Sequence, residues 1–178
     1  MRIIAGRLGG RHFDSPSGHR THPMSDKVRG ALFNALGEID GLTDLDAFAG
    51  SGALGLEAVS RGAGRVTLID SDRAAQQTIA GNIDKLGAAA RAKLVRAAAG
   101  AWLSTTDQDF DVVLCDPPYD KPQLELLTRL AARAKPGGII VFSLPPQTEL
   151  SLSGEYQLLS RKDYGDATLS FYRRKTAA

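Results

Sequence analysis

Short apolar runs alternate with longer amphipathic stretches through most of the chain. Asp44 to Phe48, Arg65 to Asp70, Lys93 to Ala97, Phe110 to Cys115 and Ile139 to Leu144 are brief and rich in Val, Ile and Leu, the pattern of strands buried on both faces. Between them lie stretches whose apolar positions recur every three or four residues: Ala53 to Arg61; Asp72 to Leu86, with Ala75, Ile79, Ile83 and Leu86 on one stripe; a short one near Trp102; and Pro122 to Ala134, with Leu124, Leu127 and Leu130. Strand followed by helix, repeated, predicts an α/β Rossmann-like fold, a mostly parallel sheet with helices on both faces. After Pro145 and Pro146 the period changes. Tyr156 to Lys162 and Thr168 to Arg173 flank a turn at Tyr164-Gly165-Asp166, so an antiparallel hairpin completes a seven-stranded sheet.

Upstream, Ser25 is placed to cap a helix from Asp26 to Leu36, with Val28, Leu32 and Leu36 on one stripe and Gly37 as its stop. Arg2 to Ala5 and Arg11 to Phe13 are short β-like runs separated by Gly6, Gly9 and Gly10, which reads as a small hairpin or extended arm. We therefore expect an arm over residues 1–24 and one domain over residues 25–178.

Composition narrows the class. With 178 residues, 43% of them hydrophobic and 24% charged, the chain can bury one core and leaves no room for a second large domain. Polar and glycine residues interrupt the apolar start at once, so neither a signal peptide nor a membrane span is expected, and a soluble cytoplasmic protein is. One cysteine, Cys115, excludes an internal disulfide and a multi-cysteine zinc site. The net charge of +2 hides a polarity: residues 1–35 carry +4, residues 161–178 carry +3, and the centre is acidic at −5. A basic tail alone is usually solvated surface; beside the chemistry below, it makes Arg7, Arg11, Arg20, Arg29, Arg173 and Arg174 candidate contacts for nucleic-acid phosphates.

Asp46-Ala47-Phe48-Ala49-Gly50-Ser51-Gly52-Ala53-Leu54-Gly55 ends one strand and opens a helix. Glycines there let the backbone approach a ligand while helix amides point outward. Gly50, Gly52 and Gly55 also satisfy the dinucleotide pattern, and Asp70 follows where a ribose-binding acid belongs, so the loop alone does not choose between NAD and S-adenosylmethionine. Asp46 favours the methyl donor, since a carboxylate there opposes a pyrophosphate and suits a cationic sulfonium and amino group.

The most specific text is Val113-Leu114-Cys115-Asp116-Pro117-Pro118-Tyr119, an apolar strand ending in an acid, two rigid prolines and an aromatic ring. A base amine is a poor nucleophile because its lone pair is delocalised into the ring. Two acceptors on its hydrogens, the Asp116 carboxylate and the Pro117 carbonyl, return electron density to nitrogen; Pro118 helps hold that carbonyl outward, and Tyr119 offers a stacking face for an extruded base. The bland alternatives for both motifs are a packing turn and a proline turn with a capping acid. Trp102 and Cys115 read as core, and His12, His19 and His22 lack partners at metal-ligand spacing.

At this point the chain resembles the small-subunit ribosomal RNA guanine-N2 methyltransferases, a group of class I S-adenosylmethionine-dependent enzymes. The likeness covers nearly the whole sequence: Arg2-Ile3-Ile4-Ala5-Gly6, the text from Ser25 to Asn34, Ala47 to Ser60 with Asp70, Asp116 to Tyr119, and Tyr164-Gly165-Asp166. His22-Pro23-Met24 and Gly30 depart from the family's usual Arg-Pro-Thr and Glu. The resemblance implies a monomeric enzyme that methylates guanine N2 in 16S rRNA, within the small ribosomal subunit or its assembly intermediate, using S-adenosyl-L-methionine, releasing S-adenosyl-L-homocysteine and needing no metal. It implies a cofactor held by Asp46, Phe48, Ala49, Gly50, Ser51, Gly52, Asp70 and Ser71, with Ala98 contributing only backbone after the third strand. An adenine-N6 methyltransferase of DNA or RNA shares the Asp116 logic but generally needs an added recognition region; a nicotinamide-dependent oxidoreductase leaves Asp116 to Tyr119 unexplained; a non-catalytic RNA-binding protein is the third alternative.

Overall fold

The computed structural model describes residues 1–18 and 23–177. Among the described residues five helices and seven strands follow in the order α1 (Asp26–Leu36), β1 (Thr43–Asp46), α2 (Ala53–Ser60), β2 (Arg65–Asp70), α3 (Arg73–Leu86), β3 (Ala92–Arg96), α4 (Ala99–Leu103), β4 (Phe110–Cys115), α5 (Leu124–Ala131), β5 (Ala134–Leu144), β6 (Tyr156–Asp163) and β7 (Thr168–Arg174). They build one sheet in the order β3-β2-β1-β4-β5-β7-β6. The first five strands are parallel, and β7 runs antiparallel to both β5 and β6. The fold is the expected mostly parallel α/β sheet with a C-terminal hairpin. No helix among the described residues is long and apolar enough to cross a membrane.

The strand order reverses between β1 and β4. Chain leaving β1 turns towards β2 and chain leaving β4 turns towards β5, which opens a crevice beyond the carboxyl ends of the two central strands. Their register sets Asp46 beside Leu114, two residues short of Asp116. Alternation along each strand supplies two apolar layers. Leu68, Val112 and Leu114 join Leu56 and Ile79 on one face, whereas Leu45, Ile69 and Val113 join Trp102, Leu127 and Leu130 on the other.

Several boundaries move from their expected places. β1 stops at Asp46, since Ala47 N makes the last ladder bond, to Leu114 O, before the chain leaves the sheet. Helix α5 ends at Ala131, and Ala134 opens β5, because Arg133 O accepts Phe110 N and pulls the chain into the sheet. Ser25 caps α1 through a bond from Val28 N, and Gly37 ends the helix at φ 82°.

The arm is built into the body. A single bridge pairs Arg2 with His12, and Ile3, Leu8 and Phe13 are core residues, each contributing roughly 1.5–3 kcal/mol of apolar burial. Gly6 presses on α2: a Cβ there would stand 2.1 Å from Ser60 O, so no other residue fits.

Candidate functional site

The loop after β1 is held by carboxylates acting on its backbone. Asp46 is fully buried; its Oδ2 accepts from Gly55 N at 2.9 Å, and its Oδ1 has no partner among the described residues. Burial pushes this carboxyl up to about 7; the Gly55 and Phe48 amides oppose the rise, and Asp116 and Asp70 add to it. Asp70, at the tip of β2, takes Gly50 N on Oδ2 and Asp72 N on Oδ1, both at 2.8 Å. Its carboxyl is raised, chiefly by burial. Each oxygen keeps one lone pair for a further donor. Gly52 caps α2 in the left-handed region at φ 86°, and Gly50 lies at φ 58° with open space where a Cβ would point. Ala49 is buried with its N–H on Ile69 O, Phe48 is half-buried, and Ser51 is buried while Ser71 is exposed. Ala98 is exposed at the start of α4, its carbonyl taken by Trp102 N.

Across the crevice, Asp116 follows the last residue of β4. Burial lifts its carboxyl to about 7, and a hydrogen bond with Ser143 counters part of that rise. Tyr119 lies 37% exposed with its hydroxyl 2.9 Å from Ser143 Oγ. Burial lifts the phenol to about 12, so it stays neutral. Pro118 O accepts from Lys121 N at 3.2 Å, whereas no hydrogen bond reaches Pro117 O among the described residues. The motif therefore places a carboxyl, a buried carbonyl with no hydrogen bond among the described residues and an aromatic face in one short segment.

Two participants escaped the sequence reading. Ser143 is a buried hydroxyl in the apolar second half of β5, and its only signal was being the polar interruption between Phe142 and Leu144. Asn82 is buried in α3 and donates to Ser51 O in the glycine loop after β1 at 2.9 Å. It stands between Gly81 and Ile83, beside the expected apolar stripe and not on it, where an amide is easily passed over.

The basic residues are not gathered at this crevice. Arg29, expected to contact phosphates, is fully buried: it donates to Arg2 O and Asp26 Oδ1 and lies 3.8 Å from Glu57 Oε2, an interior ion pair that solvent does not reach. Arg11 caps the end of α3 through Lys85 O and Leu86 O. Arg174 pairs with Glu155 and the carbonyls of Ala132 and Ala134. Its neighbour Arg173 sits opposite Ile139, about 13 Å back along β5 from Ser143 and away from Asp116, with Arg174 one residue further. Arg20 lies outside the described residues, as do His19 and His22. Arg7 and Arg173 are exposed, with no ion pair among the described residues. Trp102 packs against Phe110 and Cys115 is buried, as core residues. The described residues hold no group of three or more His, Cys, Asp or Glu arranged for a metal.

Comparison with known proteins covers the chain almost from end to end. Residues 1–173 match the family model described as Conserved hypothetical protein 95. A candidate rRNA methyltransferase of Bacillus subtilis, YlbH, is 32% identical over 98% of this chain and 100% of its own length. Ribosomal RNA small subunit methyltransferase D of Escherichia coli is 41% identical over 70% of this chain, a match that spans 63% of that protein. The solved Escherichia coli chain yhhF superposes with a TM-score of 0.88 at 33% identity over 99% of both chains.

Proposed function

The chain belongs to the conserved hypothetical protein 95 family, and from that premise we propose that it transfers a methyl group from S-adenosylmethionine to the exocyclic N2 amine of a guanine in 16S rRNA. The observation that carries this reading is the joint placement of Asp116, the Pro117 carbonyl, which takes no hydrogen bond among the described residues, and Tyr119 across one crevice from the Gly50–Gly52 loop. An oxidoreductase has no use for that second cluster.

The residues around the loop fit the donor. The unpartnered Asp46 Oδ1 is a buried acceptor suited to a cationic ligand, the space at Gly50 admits a ligand close to the backbone, and Asp70 has lone pairs left for ribose hydroxyls. When bound, S-adenosylmethionine supplies an electrophilic methyl on its sulfonium. The chain's own part is then positioning and charge. Tyr119 stacks the base, and its hydroxyl on Ser143 fixes the ring. The Asp116 carboxylate and Pro117 carbonyl accept from the two amine hydrogens, and Asp116 takes the proton that the amine nitrogen sheds once it is alkylated.

The rRNA is met as a small-subunit particle or its assembly intermediate, and the enzyme acts as a cytoplasmic monomer. Arg7 and Arg173 remain as phosphate contacts. Nucleoside mass mapping of small-subunit rRNA from cells with and without the gene tests the assignment: one N2-methylguanosine is lost with the gene, and an unchanged map overturns it.

A further inference from the structure

One buried side chain joins the arm to the cofactor loop. Asn82 Nδ2 donates to Ser51 O and to Asp14 O, both at 2.9 Å, while its Oδ1 accepts from Asp14 N at 2.8 Å. Both amide hydrogens and the carbonyl are used, and none goes to its own helix. Ser51 stands between Gly50 and Gly52, where the backbone has left-handed freedom and no ladder partner fixes it. Glu57 holds the same arm further back, accepting from Ile4 N and Ala5 N, and Ser60 takes Leu8 N and Arg7 N. The arm thus grips the end of α2, and through Asn82 it also reaches the loop at that helix's start.

A buried asparagine can be merely satisfied packing. Here its partners are backbone groups of two segments that share no other direct hydrogen bond among the described residues, and one of them is the ligand-facing loop. We propose that Asn82 is a positioning residue which fixes the cofactor loop and makes the placement of the arm and the binding of the cofactor mutually dependent. This rests on the cofactor lying at the Gly50–Gly52 loop. Linkage then runs both ways: cofactor binding steadies the arm, and RNA engaging the arm changes cofactor affinity by the same factor.

The test uses the full-length protein and S-adenosylhomocysteine. In the wild type, calorimetry detects binding and hydrogen exchange slows at the Asp14 amide as well as around Ser51. Asn82→Ala weakens the affinity about tenfold, raises the KM for S-adenosylmethionine with kcat nearly kept, and abolishes the ligand-dependent slowing at Asp14. Asn82→Asp, which keeps the acceptor and turns the donor into an oxygen facing two carbonyls, behaves like Asn82→Ala. The wild-type exchange measurement stands even where a variant fails to fold. Binding that slows Ser51 and leaves Asp14 unchanged overturns the coupling; a wild type that does not bind the ligand overturns the cofactor site itself.

Discussion

The two banks of the crevice are made from different materials. On the β1–α2 bank, carboxylates and an amide are spent on backbone: Asp46 on Gly55 N, Asp70 on Gly50 N and Asn82 on Ser51 O. What faces a ligand there is mostly main chain. On the β4–β5 bank the groups proposed to act are side chains, Asp116 and Tyr119, steadied by one hydroxyl, Ser143. A site made of main chain is damaged by glycine and carboxylate changes that alter shape or affinity, whereas a site made of side chains loses chemistry when one group is removed.

The largest effect expected from this contrast is Asp116→Ala. Turnover falls by about a thousandfold or more while S-adenosylhomocysteine affinity stays within about twofold, read by kinetics and calorimetry. Loss of both together would erase the distinction between the banks. On the proposed mechanism Asp116 must be ionised to accept from the amine; its carboxyl is raised to about 7, so kcat climbs as pH rises through that value and is lost below it. Because Asp46 also lies near 7 and feels Asp116, the limb belongs to the pair.

Next come the changes on the other bank. Asp70→Ala removes the acceptor of Gly50 N, and Gly52→Val puts a branched side chain at φ 86°; each weakens S-adenosylhomocysteine binding by about 10–100-fold in calorimetry. Gly52→Val also costs stability, which Asp70→Ala separates from affinity.

Smaller effects sharpen the β4–β5 bank. Tyr119→Phe keeps the stacking face yet loses the bond to Ser143, so it lowers turnover by several-fold rather than leaving it unchanged, and Tyr119→Ala lowers it further. Ser143→Ala removes the bond that opposes the rise of Asp116, so the pH limb moves upward.

Asp44 gives the smallest effect and lies on neither bank. Both of its oxygens are buried without partners among the described residues, and burial, then Asp111 and Asp46, lift it to about 8. The folded protein keeps a proton that the unfolded chain releases above the ordinary value of 3.8, so stability falls as pH rises from about 4 to about 8. Asp44→Asn removes that slope: the melting temperature rises at pH 8 and hardly changes at pH 4.

The sheet was legible in the sequence because buried strands need continuous apolar runs, as in Phe110 to Cys115. Gly50, Gly52 and Asp70 were legible through their spacing, and Asp116 to Tyr119 through composition. Ser143 and Asn82 were not, since both earn their roles by contacts across the sheet or between helix and loop that no local pattern records. Arg29 was misread for the same reason: its charge suggested phosphate, and the folded arm seals it against Asp26 and Glu57.

The central claim, methyl transfer to a guanine amine, is tested most directly by incubating the purified protein with S-adenosylmethionine and unmethylated small-subunit particles, then analysing the digested rRNA by mass spectrometry. The account predicts N2-methylguanosine at one site, approaching one per particle. N6-methyladenosine in its place, or no methyl group in the rRNA, would contradict it.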